Sequence, residues 1–260
     1  MELVQFTEGT PEQLAAMIEA SYGENGINLQ DYWAVNEATV MDLAAMNELS
    51  GNNAGEWPGT ASHVAQKMRF VILDFDHDTL ATPKDGKTTA SVTIGMQDLM
   101  VKGDNNGGST MNGSSNTNNG GWAQCARRTW LNDTFLKAMP TPWQEVIKTT
   151  TRKTCMSYNS ATQSDSSEKI FMLSEFEVQG AKKYAPANEG TQYTYFKTSS
   201  RKIMHWTNVD GTPTNSANHW FLRSVYSGSS HYFCLVSSGG SADYNRAAAG
   251  GYGFVACASA

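Results

Sequence analysis

Residues 127–147 read RRTWLNDTFLKAMPTPWQEVI, and this stretch predicts two consecutive helices in the middle of the chain. The apolar positions of the first helix recur at helical spacing and are Trp130, Leu131, Phe135 and Met139. In the second, Thr141 and Gln144 have the spacing of a capping box, and Pro142 suits the first turn. Its apolar face is Trp143, Val146 and Ile147.

Strands are predicted on both sides of these helices. Residues 69–75 (RFVILDF) and 90–95 (ASVTIG) precede them, and residues 169–174 (KIFMLS) form a short buried strand after them. The chain is then loop-rich until Trp220-Phe-Leu-Arg223, and short strands separated by Gly and Ser follow. Two central helices with strands at both ends, and no regular βα alternation, predict the α+β class.

Two segments bear on the domain boundaries. Thr10, Pro11 and Gln13 predict the start of a helix over residues 10–20. Because one short helix holds no core of its own, we interpret residues 1–25 as an attached helical arm and residues 26–260 as one domain. Residues 103–121 are almost entirely Gly, Asn, Ser and Thr, which predicts a long loop inside that domain.

Composition excludes several classes of protein. The 260 residues carry a net charge of −6 and a pI near 5.4, which disfavours nucleic-acid binding. No apolar run is long enough for a membrane span, and the start MELVQFTEGTPEQ lacks the layout of a signal peptide. We therefore expect an acidic, soluble protein with no membrane span and no nucleic-acid partner.

The sequence contains no recognisable catalytic or cofactor motif. Its four cysteines (Cys125, Cys155, Cys234 and Cys257) are widely spaced, which predicts buried reduced thiols and neither a disulfide scaffold nor a zinc site. The five histidines form no HxH or HExxH pair, and GxSxG and P-loop patterns are absent. We interpret His205-Trp206 and His219-Trp220 as packing framework, and expect no enzyme, metal or cofactor.

One motif supports an alternative function. In Leu73-Asp-Phe-Asp-His-Asp-Thr-Leu80, three acids alternate directly after a hydrophobic strand, as in the acidic loop of haloacid-dehalogenase-like phosphatases. Asp74, Asp76 and Asp78 could then serve a magnesium-dependent phosphohydrolase. The threonine spacing departs from that pattern, however, and the βαβ units are missing. The other interpretation is a solvated turn whose carboxylates cap local backbone donors.

The C-terminal residues differ in composition from the rest of the chain. Residues 1–223 contain 54 Lys, Glu, Gln, Trp and Met residues, about 24%, whereas residues 224–260 contain none. These five amino-acid types cannot be reached from an AAC or AAT codon by changing its first two bases. Every amino-acid type that occurs in residues 224–260 can be reached in this way. Selection for a tightly packed, small-residue segment would give the same deficit, so the codons are needed to decide.

The same residues have the composition of a binding surface. Tyrosine supplies rigid contact area, while Ser, Gly and Asn supply adaptable hydrogen bonds. A strand over residues 232–238 would place Cys234 and Val236 on a core face and Leu235 and Ser237 on a displayed face. Phe233 falls on the displayed side, and an ordinary Gly/Ser-rich β-meander is the structural alternative.

Several motifs together resemble an uncharacterised domain family of gut bacteria and phages. They are Gly121-Trp122, Arg127-Arg-Thr-Trp-Leu-Asn132 with Phe135, Val146-Ile-Lys148, Lys169-Ile-Phe-Met-Leu-Ser-Glu175, Trp220-Phe-Leu-Arg-Ser224 and Gly253-Phe254, with Asp76-His-Asp78 upstream. The resemblance covers roughly residues 30–260. Members are similar to C-type lectin folds, and some are variable proteins of diversity-generating retroelements, in which a reverse transcriptase mutates template adenines.

The resemblance implies a C-type-lectin-like domain with a C-terminal antiparallel ligand-display region, in which Trp220-x-Leu-Arg223 supports the core. The diversified, ligand-binding positions it implies are Tyr226, Ser230, His231, Tyr232, Leu235, Ser237, Gly239, Asp243, Tyr244, Asn245, Arg246 and Ala248. Fixed framework residues would be Phe233, Cys234, Val236, Gly240 and Phe254. Calcium-dependent sugar binding is not implied, because no EPN loop is present. Nor is formylglycine generation, because Val255 follows Gly253-Phe254 and the cysteines are not paired.

The expected function is therefore non-enzymatic recognition of a protein or glycan on a bacterial cell. The chain would be a phage tail-tip component of the virion, made in the host cytoplasm and attached through residues 1–25. The alternative of the same fold is an undiversified adhesin module at the bacterial cell surface. The ligand and the oligomeric state are open at this stage.

Overall fold

A computed structural model describes residues 2–49, 62–101, 110–113, 115–247 and 251–260. The helices are α1 (Pro11–Ala20), α2 (Ala126–Trp130), α3 (Leu136–Ala138), α4 (Thr141–Val146) and α5 (Glu175–Gln179). The strands are β1 (Ala38–Leu43), β2 (Met46–Asn47), β3 (Ser62–His63), β4 (Gln66–Phe75), β5 (Thr79–Lys84), β6 (Lys87–Thr89), β7 (Val92–Met96), β8 (Thr150–Cys155), β9 (Gln163–Glu168), β10 (Ile170–Phe171), β11 (Met204–Thr207), β12 (Pro213–Asn218), β13 (Trp220–Val225), β14 (Tyr232–Val236), β15 (Ala242–Arg246), β16 (Gly253–Phe254) and β17 (Cys257–Ser259). The mixed α+β class is confirmed.

A five-stranded sheet joins distant parts of the chain in the order β1-β4-β7-β17-β10. The last strand, β17, lies between β7 and β10, with Cys257 opposite Gly95. A Cβ atom at Gly95 would lie 2.9 Å from the Cys257 sulfur, so the absence of a side chain permits this close pairing. Other sheets are β6-β5-β8-β9 and β15-β14-β13-β16.

The N-terminal segment packs into the same core as the sheets. Thr10 and Gln13 form the predicted capping box, and helix α1 buries Leu14, Ala15, Met17 and Ile18. Phe6 lies edge-on to Trp33 and Trp143, with ring centroids 5.2 and 6.4 Å away. Residues expected to form an arm are thus part of the packed structure, since their apolar face is covered by residues far along the chain.

The predicted central helices are present, with different ends. The first is continuous from α2 to α3 through a π-helical turn over Leu131–Phe135. The predicted cap of α4 is wrong: Pro140 is its N-cap residue and no side chain caps it. Gln144 does not complete a capping box with Thr141, because its side-chain amide donates to the Met139 carbonyl at 2.6 Å.

The structure explains why glycine precedes tryptophan in the Gly121-Trp122 motif. Gly121 has φ +56°, and a Cβ atom there would lie 2.0 Å from the carbonyl oxygen of Cys155, so only glycine fits without rearrangement. Trp122 follows, fully buried, and its indole N–H donates to Glu168 Oε1 at 2.9 Å. The described part of the predicted 103–121 loop, residues 110–113 and 115–121, contains no helix or strand.

Strand β13 supports the C-terminal sheet and is buried along its whole length. Arg223 on this strand is fully buried and donates to Glu177 Oε1 at 2.8 Å and to the backbone carbonyls of Met172 and Glu189, both at 3.0 Å. Because a buried guanidinium needs such partners, Arg223 ties the sheet to α5 and to the loop after it. Within the described residues, no helix is long and apolar enough to cross a membrane.

Candidate functional site

Four tyrosines form a cluster at one end of the C-terminal sheet, and we call Tyr184, Tyr226, Tyr232 and Tyr244 the tyrosine cluster. The Tyr226 and Tyr244 rings are stacked, with centroids 3.9 Å apart and planes 3° apart. Tyr232 lies 5.8 Å from Tyr244 and Tyr184 lies edge-on to Tyr244 at 5.0 Å. All four are partly buried, and Tyr184 and Tyr226 also pack against the hydrophobic core.

The register of β14 and β15 explains why two of these rings meet. Tyr244 is opposite Cys234, and Tyr232 is opposite Arg246. Since side chains two residues apart on a strand share a face, Tyr232, Cys234, Tyr244 and Arg246 share one face of the sheet. Tyr226 follows β13 directly, and its N–H donates to the Tyr232 carbonyl at 3.0 Å, which brings its ring to the same place.

Tyr184 is the member that sequence reasoning missed, because it lies 40 residues before the compositionally distinct C-terminal segment. Its loop is fixed from both sides. The fully buried carboxylate of Glu175 accepts the backbone N–H groups of Lys183, Tyr184 and Ala185 at 2.7–3.1 Å. The Tyr184 carbonyl in turn accepts the N–H of Ser227 at 2.8 Å.

The Tyr226 ring has space because its neighbour is glycine. A Cβ atom at Gly228 would lie 2.4 Å from the Tyr226 hydroxyl oxygen. A hydrogen bond with Tyr244 raises the pKa of the Tyr226 hydroxyl above its usual value, so the Tyr226 hydroxyl remains neutral near pH 7. The stacked pair therefore presents this uncharged hydroxyl group beside aromatic surface.

The predicted display face of β14 is wrong. Leu235 is fully buried, as are Phe233, Cys234 and Val236, so the side chains on both faces of β14 are covered. Leu235 therefore belongs to the core and not to a ligand-binding surface. The tyrosines lie on the face of Cys234, which the alternation argument had assigned to the core.

The remaining predicted positions are distributed around this sheet. His231, Gly239 and Arg246 are exposed, whereas Ser230 and Ser237 are partly buried. The Ser230 carbonyl accepts the N–H of Asn118 at 2.7 Å, so the strand ends are held by the Asn-rich loop. Ala248 lies outside the described residues. Gly240, expected as framework, is buried and has φ +84°.

Asp243 and Asn245 lie on the opposite face of β15 from Tyr244. The Asn245 side-chain amide donates to the Tyr252 hydroxyl at 2.6 Å, and Tyr252 lies edge-on to Phe221 at 5.6 Å. Asp243 Oδ2 is 3.9 Å from His219 Nε2. The predicted site residues thus divide between two faces, and the structure does not bring Asp243 and Asn245 into the tyrosine cluster.

Comparison with known protein families gives a match over much of the chain. A profile of the family described as domain of unknown function (DUF6273) matches residues 91–257, well over half of the chain. The chain belongs to the DUF6273 family. No curated protein and no solved structure matches it significantly.

The DUF6273 segment contains the whole tyrosine cluster and Glu175, so the candidate surface is part of the family domain. Helix α1 and the acidic motif of residues 74–78 precede the matched segment. The boundary is not a structural one, however, because β4, which precedes the matched segment, pairs with β7 inside it, and β1 pairs with β4 in the same five-stranded sheet.

The acidic motif is used by the fold itself. Asp78 is buried and accepts hydrogen bonds from the hydroxyls of Tyr193, Thr93 and Ser259 at 2.5–3.0 Å, and its Oδ1 is 3.2 Å from Arg152 Nη2. Burial alone would raise its pKa, but Arg152, His77 and Thr93 lower the pKa of this carboxyl far below its usual range. A carboxylate so fully engaged is a poor nucleophile.

The other two acids do not converge with Asp78. Asp74 accepts the backbone N–H of Phe75 at 3.0 Å, a local cap as the turn interpretation expects, and also the N–H of Thr194, 120 residues away, at 2.8 Å. Asp76 has φ +48° and lies 3.7 Å from Lys87 Nζ. Among the residues that the structure describes, no group of three or more His, Cys, Asp or Glu side chains is arranged to hold a metal ion.

The four cysteines are free and buried, as predicted. Burial raises the pKa of Cys125 to about 11 and, with Glu189 nearby, that of Cys155 to about 12. Burial also raises the pKa values of Cys234 and Cys257 well above the usual value. Thiols in this state are structural side chains, since the thiolate is the reactive form.

Proposed function

We propose that this chain is a non-enzymatic recognition protein that binds a protein or glycan on a bacterial cell through the tyrosine cluster. The observation that carries the proposal is the stacked Tyr226–Tyr244 pair, joined by Tyr184 and Tyr232 at the surface. Tyrosine is enriched in binding surfaces because it supplies rigid contact area with a hydrogen-bonding hydroxyl.

The cluster also separates recognition from stability. Its rings lie on a sheet whose central strands β13 and β14 are buried almost throughout, so the support does not depend on which side chains occupy the surface. Lys183 Nζ lies 4.8 Å from the Tyr184 ring centroid, and Arg246 shares the face of Tyr244. The ligand would therefore meet aromatic rings, hydroxyls and two cationic side chains.

We further propose a C-type-lectin-like domain whose C-terminal surface, about residues 224–254, is diversified by adenine mutagenesis. The support is the absence of Lys, Glu, Gln, Trp and Met from residues 224–260 together with the resemblance described above. In this proposal Tyr226, Tyr232, Tyr244 and Arg246 vary, whereas Tyr184 is outside the diversified segment and stays constant. The setting would be a phage tail tip, with attachment through the exposed face of residues 1–25.

The first experiment is on the DNA. The gene and its flanks should contain a near-copy of the codons for residues 224–254 that differs only at template adenines, next to a reverse-transcriptase gene. Such a repeat would support diversification and would name the variable positions. Without a repeat, a fixed-specificity adhesin module of the bacterial surface becomes the better proposal.

The second experiment is binding to cells. The fluorescently labelled chain is incubated with a panel of intact gut-bacterial strains, and bound signal is measured by flow cytometry. On a strain that binds, Tyr226→Ala with Tyr244→Ala should reduce binding at least about tenfold, which corresponds to about 1.4 kcal/mol. Tyr158→Phe, outside the cluster, is the control. Equal binding by wild type and the double variant would refute the assignment of this surface.

A further inference from the structure

Strand β15 forms the outer edge of the sheet β15-β14-β13-β16, and no strand among the described residues pairs with its outer side. Backbone N–H groups on an edge strand point alternately toward the neighbour and outward. Ala247, next along the chain, donates its N–H to the His231 carbonyl at 2.7 Å. The backbone N–H groups of the odd-numbered residues of β15 therefore point toward β14, and those of the even-numbered residues point outward. The outward donors of β15 include those of Tyr244 and Arg246.

Both of these outward donors are occupied by the side chain of the preceding residue. The N–H of Tyr244 donates to Asp243 Oδ1 at 2.9 Å, and the N–H of Arg246 donates to Asn245 Oδ1 at 2.8 Å. Asn245 is itself held in place, because its amide donates to the Tyr252 hydroxyl at 2.6 Å. The sequence Asp-Tyr-Asn-Arg thus places an acceptor directly before each outward donor.

Free donors on an exposed edge favour pairing with a strand of another chain. The most available strand is a second copy of β15, since antiparallel pairing about a two-fold axis at Tyr244 is self-complementary. In that arrangement Asp243 would face Asn245 of the second copy, and Ala242 would face Arg246. No like charges would oppose each other, so charge repulsion does not close this edge.

We propose that Asp243 and Asn245 keep the β15 edge closed to a second copy of this chain by occupying its outward N–H donors. These two residues then protect the edge and do not contact the ligand. The proposal does not depend on the tyrosine cluster as a binding surface, because it concerns the other face and the edge of the strand.

The test compares three proteins by sedimentation velocity over a wide concentration range. The variant D243A/N245A removes both acceptors, whereas D243N/N245D keeps an acceptor oxygen at each position and the same net charge. We expect D243A/N245A to self-associate at least about tenfold more tightly than wild type, and D243N/N245D to match wild type. Amide exchange of Tyr244 and Arg246 should be faster than in wild type when D243A/N245A is dilute.

Two results would overturn the proposal. One is D243A/N245A associating no more tightly than wild type at any concentration. The other is D243N/N245D associating as tightly as the alanine variant, which would implicate charge placement and not the acceptor oxygens. If D243A/N245A does not fold, D243A alone leaves the Asn245–Tyr252 contact intact and should open one donor. D243A should then associate more tightly than wild type, and failure to do so would also overturn the proposal.

Discussion

The buried carboxylate of Glu175 accepts the backbone N–H of Tyr184 with both of its oxygens, at 2.9 and 3.1 Å. Glu175 begins α5, and its own N–H donates to the Ser224 hydroxyl oxygen at 3.0 Å. A single residue therefore links the start of α5, the end of β13 and the loop that carries Tyr184. This link explains how a residue distant in sequence joins the tyrosine cluster.

Replacing Glu175 by Ala should destabilise the fold by about 2–3 kcal/mol, because buried N–H groups would lose a charged acceptor. The effect should be local first: amide hydrogen exchange of residues 183–185 should accelerate more than that of β13. Glu145→Ala, at an exposed position, is the control and should change stability by no more than about 0.5 kcal/mol. Unchanged exchange at residues 183–185 in the Glu175 variant would contradict the anchoring role.

Arg246→Ala should weaken binding to a recognised bacterial strain while the free energy of unfolding changes by no more than about 0.5 kcal/mol. The reason is that Arg246 is exposed and lies beside the tyrosine cluster. Cell binding by flow cytometry and chemical denaturation measure the two effects separately. Lys197→Ala, at an exposed position on the short 3-10 helix of residues 194–197, is the control for loss of positive charge. A large loss of stability with unchanged binding would make Arg246 a structural residue.

Tyr244→Ala should lose binding and also some stability, about 0.5–1.5 kcal/mol, because its ring stacks on Tyr226 and is partly buried. Trp220→Ala, in contrast, removes a fully buried ring and should cost about 3–5 kcal/mol. Denaturant unfolding of both variants gives the comparison. If Tyr244→Ala cost as much as Trp220→Ala, the tyrosine cluster would be core and not a binding surface.

Acid should weaken the fold through Glu48. Burial alone would raise its pKa, but Arg127 and His63 lower the pKa of Glu48 from 4.5 to about 2. Because the folded pKa is lower, the stabilisation, about 3 kcal/mol, is complete above about pH 4.5 and disappears as the pH falls toward 2. Unfolding free energies of wild type and Glu48→Gln should therefore differ near pH 7 and converge toward pH 2.

The control for Glu48 is Asp42→Asn. Asp42 is an exposed acid whose Oδ1 lies 2.9 Å from Lys67 Nζ, and exposed pairs contribute little. Its variant should follow the pH dependence of wild type across the whole range. A constant difference between wild type and Glu48→Gln down to pH 2 would contradict the lowered pKa of Glu48.

The cysteines should resist alkylation in the folded protein. All four are buried, and their raised pKa values keep the thiolate fraction very small near pH 7. Mass spectrometry after iodoacetamide treatment should show almost no labelling in buffer and four labels in denaturant. Ser200→Cys, at an exposed position, should add one label in buffer. Rapid labelling of any native cysteine would show that its site opens.

Local patterns determined much of this protein. The capping box of Thr10 and Gln13, the central strand of residues 69–75, the helix from Ala126 to Ala138 and the buried cysteines follow from side-chain periodicity, capping chemistry and burial preference. These features depend on residues close together in sequence or on the general preference of apolar side chains and thiols for the interior, so the sequence alone predicts them.

Tertiary structure decided the candidate surface. The sequence could not show that β14 is covered on both sides, which buries Leu235 and moves the aromatic surface to the face of Cys234. Nor could it show that Glu175 brings Tyr184 to Tyr244, or that Asp78 is paired with Arg152. Each of these facts depends on contacts between distant parts of the chain, and such contacts form only when the whole sheet is assembled.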